Sequence, residues 1–143
     1  MNSILILHIF SCWFMTGTIW LVQLLVYPNF KLLGKTEFKK CHQFHTNRIT
    51  WLVAPLMSIE LTTGIWIALK TQSAPFYWNV FSVILIWILT ATVNVPAHNR
   101  LLFEIDQSKN KLIFGNWPRT LIWSARSLFW IWFLTENMGV LIL

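Results

Sequence analysis

The chain is short of charge. Only 11% of its 143 residues are Asp, Glu, Lys or Arg, and just five of them are acidic. A soluble domain carries about a quarter of its residues as charges, so an ordinary soluble fold is excluded. Five glycines with no Gly-rich phosphate loop argue against nucleotide binding. Cys12 and Cys41 are the only cysteines, one in an apolar run and one among lysines, so no disulfide framework is expected. No Ser/His/Asp spacing points to a hydrolase. No low-complexity linker, soluble segment or convincing repeat divides the chain, which reads as one domain, 1–143.

What is present is apolar: 56% hydrophobic residues, ten Trp and eleven Phe. Four runs match a hydrocarbon core of ~30 Å: about 3–27, 49–69, 76–102 and 117–134. The expected fold is all-α, an antiparallel bundle of four transmembrane helices. Trp13, Trp20 and Tyr27 recur every seven residues along the first. The apolar N-terminus has no positive flank and reads as a retained span rather than a signal peptide. Pro28 is expected to end that span. Thr36 is expected to cap a helix that starts at Glu37 and runs on through Pro55, a kink point. The polar stretch Glu104–Asn116 reads as a loop, with Pro118 in the first turn of the last helix.

Basic residues set the expected orientation. Lys31, Lys35, Lys39, Lys40 and Arg48 surround the first loop. Arg100, Lys109, Lys111 and Arg119 surround the third, against Lys70 alone in the middle. The positive-inside rule then puts loops one and three in the cytoplasm and both termini outside. The net charge of +6 is thus a topology signal, with a contribution from anionic lipid. Nucleic acid is not expected as a partner, because the basic residues are not gathered on a soluble module.

Polar residues inside the runs carry the functional signal. In TATVNVPAHNRL, residues 90–101, Asn94 and His98 lie four apart on one helical face. Pro96 lies between them, and its missing N–H must be compensated by neighbours at membrane depth. Counting ~1.5 Å per residue from the outer ends places His8, Glu60 and Arg126 in one outer layer. His42, His45 and His98 fall together near the cytoplasmic side. His42, His45 and Glu60 share a helix face, so a polar seam joining the layers is expected.

Each cluster has a plain and a sharp reading. Glu60 and Arg126 form a register-fixing ion pair. Alternatively Glu60 is a metal ligand or general base, with Arg126 holding it or an oxyanion while Trp123 and Trp130 stack on the guanidinium. His42 and His45, an H-x-x-H pair, join His98 as three nitrogens for iron or copper. Otherwise all three are interfacial histidines bonded to Thr46, Asn94 or headgroups. His8 is an interior donor or a haem axial ligand. His8 and Asn94 are the cofactor-binding candidates.

Four runs carry a resemblance: HIFSCWFMTGTIWLVQLLVYPNF, FKKCHQFHTNRITWLVAPLMSIELTTGIW, TATVNVPAHNRL and NWPRTLIWSARSLFW. Together they resemble a family of small bacterial four-helix membrane proteins of uncharacterised function. That family is distantly similar to the anthrone-oxygenase-like family, which has VP-x-x-N-x-x-L in its third helix and W-x-x-x-R at the fourth. The resemblance implies recurring polar positions at His8, His42, His45, Glu60, His98, Asn116, Arg119 and Arg126, and dioxygen chemistry on a polycyclic aromatic. This chain has His98 where the oxygenase pattern more often shows Asn, and it adds the H-x-x-H.

The expectation is a metal-dependent membrane oxidoreductase in a bacterial inner membrane. Iron or copper would sit at His42, His45 and His98, with Glu60 and Arg126 catalytic and a lipophilic small molecule as substrate. The alternatives are an accessory subunit of a larger membrane complex or homo-oligomer, a haem-binding electron carrier, and a proton or solute conduit along the Glu60 seam.

Overall fold

A computed structural model of the chain describes residues 2–101 and 105–141, with side chains described for 3–101 and 110–137. The described residues form helices without strands. The first rod is α1 (Asn2–Leu21), a π-turn at Val22–Val26, and α2 (Tyr27–Leu32). The second is one helix, α3 (Lys35–Thr71). The third is α4 (Ala74–Leu89), a π-turn at Thr90–Asn94, and α5 (Val95–Arg100). The fourth is α6 (Ile105–Leu141). The first three rods are long and apolar enough to cross a membrane. At 37 residues α6 is as long as α3, but no stretch of its described residues is apolar enough to join those three. Its inward residues include Asn116, Arg119, Thr120 and Arg126.

Local chemistry sets the ends. Gly34 precedes α3 in an extended conformation, and its carbonyl accepts the Phe38 N–H at 2.8 Å. Glu37 lies in the first turn and Lys70 in the last, each favourable to the helix dipole. Gln72 closes α3 in the left-handed region, φ 49°, donating its N–H to the Ala68 carbonyl. Pro75 sits in the first turn of α4, where no N–H partner is required.

Four expectations are corrected. Pro28 does not end the first rod, which continues to Leu32. The π-turn before it shifts the hydrogen-bond register by one residue, so Tyr27 N–H reaches the Val22 carbonyl and the proline opens a fresh turn. Thr36 is not a cap, because α3 already includes Lys35. The polar stretch before Trp117 is helical from Ile105, because Leu112 buries itself against the other rods. Pro118 therefore lies inside α6 rather than in its first turn. Glu104 and the expected end of the third span at residue 102 lie outside the described residues.

Pro96 is handled as Pro28 is. A π-turn ends two residues before each proline, and Val95 N–H reaches the Thr90 carbonyl. Asn94 Nδ2 donates to the Leu89 carbonyl at 3.0 Å, tying the side chain to the turn that carries it.

The rods enclose two apolar clusters. One holds Leu5, Ile9, Met15, Met57, Ile86, Trp123 and Trp130, and the other Val22, Tyr27, Phe30, Phe38, Leu101 and Leu112. The Trp13–Trp20 stripe faces α6, with Trp20 Nε1 donating to Ser124 Oγ at 3.0 Å. Thr16 and Ser127 hydroxyls meet there at 2.7 Å, the small polar contact that lets two helices approach closely. Cys12 is buried and Cys41 exposed, and neither forms a disulfide. Many large apolar side chains face outward, among them Trp51, Phe44 and Trp78.

Candidate functional site

Two polar centres occupy the bundle. The first assembles His8, Glu60 and Arg126 as the depth count expected. Glu60 is fully buried and paired with Arg126. Arg126 also donates to Asn79 Oδ1 at 3.0 Å, and Trp123 Nε1 donates to Glu60 Oε2 at 3.1 Å. His8 bonds Thr63 Oγ1 at 2.8 Å and Asn79 Oδ1 at 3.2 Å. Gly64 makes room for that ring, since a Cβ there would sit 3.0 Å from His8 Cε1. The carboxylate, guanidinium and imidazole come from three different rods, and Asn79 of the remaining rod joins them.

Most polar atoms of this layer are taken up by one another. Both ring nitrogens of His8 are engaged, so neither is free for a haem axial bond. Trp123 does not stack on Arg126 but bonds its partner Glu60, while Trp130 meets the His8 ring edge-on at 5.2 Å.

The second centre lies further along the bundle, at a cavity of about 580 Å³. That volume is typical of a site for a drug-sized molecule. Tyr27, His42, His45, Asn94, His98 and Arg119 line it, with Met15, Ile19, Val53 and Met57 among its apolar wall. Glu60 and Arg126 do not line it, and Trp123 and Met57 do so nearest to them in sequence. The cavity at His42 therefore does not extend to Glu60. The structure does not bring Glu60 to the histidines.

His42, His45 and His98 do come together. His42 Nε2 and His98 Nδ1 are 2.8 Å apart, and Tyr27 Oη lies 3.0 Å from His98 Nε2. The His45 ring stacks at 6.4 Å from that of His98 and meets Tyr27 edge-on at 6.1 Å. Among the described residues no group of three or more His, Cys, Asp or Glu side chains is arranged to hold a metal ion. The two nearest histidine nitrogens face each other in a hydrogen bond instead. Asn94 lines the cavity one turn before His98, its Oδ1 buried without a hydrogen-bond partner.

Both π-turns serve this site. The first sets Tyr27 and the second sets Asn94 and His98, so the Tyr27–His98 bond ties one bulge to the other. Bulges of this kind recur where a side chain must be aimed off the regular helical path.

A third group was marked only by the resemblance and not by the spacing of the residues. Arg119 is 7% exposed and lines the cavity. It donates to Thr90 Oγ1 at 3.1 Å and to Asn116 Oδ1. Asn116 in turn donates to Gln23 Oε1 at 2.7 Å, and Gln23 to the Ile113 carbonyl at 3.2 Å. Arg119 counts as a loop flank only if the last helix starts at Trp117. Once α6 is extended by three turns, the N-W-P-R-T run becomes an inward stripe, with Asn116 and Arg119 three apart.

No protein-family model, curated protein or solved structure matches this chain.

Proposed function

We propose that this protein is an integral membrane enzyme that takes a lipophilic molecule into the cavity and moves a proton to or from its polar end. Lys and Arg placement supports cytoplasmic first and third loops with both termini outside. Burying Arg119 leaves three basic residues at the third loop against one at the middle, so the bias survives.

The observation that carries the reading is the chain Tyr27–His98–His42 on the cavity wall, with links of 3.0 and 2.8 Å. A neutral imidazole has one donor and one acceptor nitrogen. If Tyr27 donates to His98 Nε2, then His98 Nδ1–H donates to His42 Nε2. Reversing both tautomers carries a proton the other way. A proton removed from a bound molecule at one end is thus replaced at the other, which is general acid–base catalysis through a relay.

The metal reading from the H-x-x-H spacing requires His42 and His98 to give up their mutual bond and turn both nitrogens to one ion. Iron or copper bound in stoichiometric amount by wild type and lost in His98→Gln would favour it over the relay.

The relay is tested with a lipophilic phenolic indicator whose absorbance reports its protonation. Purified protein in neutral detergent is expected to bind it above the micelle background and shift its deprotonation. His98→Gln and Tyr27→Phe are expected to bind it with the shift abolished. An unshifted spectrum in wild type, or identical spectra in all three proteins, would overturn the relay.

A further inference from the structure

We propose that the molecule taken into the cavity is a single-chain amphiphile with a singly charged oxyanion head, a carboxylate, held by Arg119. This deepens the lipophile-binding reading of the same cavity and rests on it.

Arg119 is more than nine-tenths buried, yet its partners Thr90, Asn116 and the Tyr27 phenol are all uncharged groups. Among the described residues its guanidinium has no carboxylate, and the bundle's one buried acid, Glu60, is occupied by Arg126. A buried cation in such surroundings calls for a counter-ion, and the cavity is the space beside it. Its Nε also lacks a hydrogen-bond partner, as do His42 Nδ1, Asn94 Oδ1 and Trp87 Nε1, all on residues that line the same cavity.

The guanidinium is held in place before any ligand arrives. Thr90 donates to the Ile86 carbonyl at 2.8 Å while accepting from Arg119, and Asn116 is anchored through Gln23. A planar guanidinium fixed in this way suits a carboxylate, which it can grip through two parallel bonds. One guanidinium without an adjacent second cation matches one negative charge.

The apolar body has a path. α3 packs along α4, but its backbone stands off from the Thr90–Asn94 turn and α5, which lean on α6 and meet α3 through the His42–His98 bond. The cavity wall is drawn from both sides of that gap, Ile49 and Val53 on one and Trp87 and Val95 on the other. About 580 Å³ suits one alkyl chain or a small ring system rather than a two-chain lipid.

The test compares a fluorescent long-chain fatty acid with its methyl ester, titrated into full-length protein in neutral detergent. Val53→Trp, which fills the cavity, sets the micelle background. Wild type is expected to bind the acid at least tenfold tighter than the ester. Arg119→Gln should abolish that preference while ester binding stays, and Arg119→Lys should restore part of it. Equal binding of acid and ester by wild type overturns the carboxylate assignment and leaves the lipophile site standing. Binding of neither above the Val53→Trp background overturns both. Displacement of the acid by an equimolar two-chain phospholipid overturns the single-chain assignment.

Discussion

Arg126 and Arg119 stand seven residues apart on α6, both buried, and they have opposite surroundings. Arg126 has a carboxylate, an amide oxygen and a closed apolar cluster around it. Arg119 has only uncharged partners and an open cavity. An arginine at the centre of a spanning helix costs about 2.5–3.5 kcal/mol on insertion scales. Glu60 offsets that cost for one. For the other the offset has to come from outside the chain. The first centre is thus a lock between rods, and the second is the one we propose as a receptor. Two elements of similar chemistry are told apart by whether the charge is already answered.

The sharpest way to break this contrast is Glu60→Gln. It strands a guanidinium in a closed site and is expected to cost about 3–5 kcal/mol. Thermal unfolding in detergent measures it, and the double change Glu60→Met with Arg126→Met should recover most of the loss. A wild-type melting curve for Glu60→Gln would remove the lock. Gly64→Ala presses a methyl on the His8 ring of the same layer and should cost about 1–3 kcal/mol, with no effect on fatty-acid binding. Tyr27→Phe removes one hydrogen bond to His98 and should cost about 0.5–1.5 kcal/mol while keeping ring contacts with Phe30 and His45. Smallest is Arg119→Met. Losing its bonds to Thr90 and Asn116 is offset by removing an unanswered charge, so ligand-free stability should move by less than about 1 kcal/mol. If it destabilises as much as Glu60→Gln, the two arginines are equivalent and the receptor reading falls.

The pattern of residues legible in advance follows from what periodicity can see. His8, Glu60 and Arg126 stand out because an ionisable group in an apolar run is conspicuous, and counting helical rise places all three at one depth. His42, His45 and His98 meet for the same reason. Arg119 escaped because a polar stretch beside it resembles a loop, although Leu112 anchors it as helix. Glu60 shares a helix face with His42 and His45, but it is paired with Arg126 and is absent from the lining of the histidine cavity, where Met57 and Val53 lie instead.

The prolines show the same division. Pro28 and Pro96 announce that the backbone must adjust there, but not how. The adjustment is a π-turn ahead of each, and its result, Tyr27 aimed at His98, depends on two rods lying side by side.

From composition and spacing alone came the apolar helical rods, the basic bias of their connections and the depth of each polar residue, because these depend on local geometry and transfer free energy. Which charges find partners was decided only by tertiary packing. Pairing requires side chains from different rods to converge within about 3 Å, and nothing local to either chain segment encodes that distance.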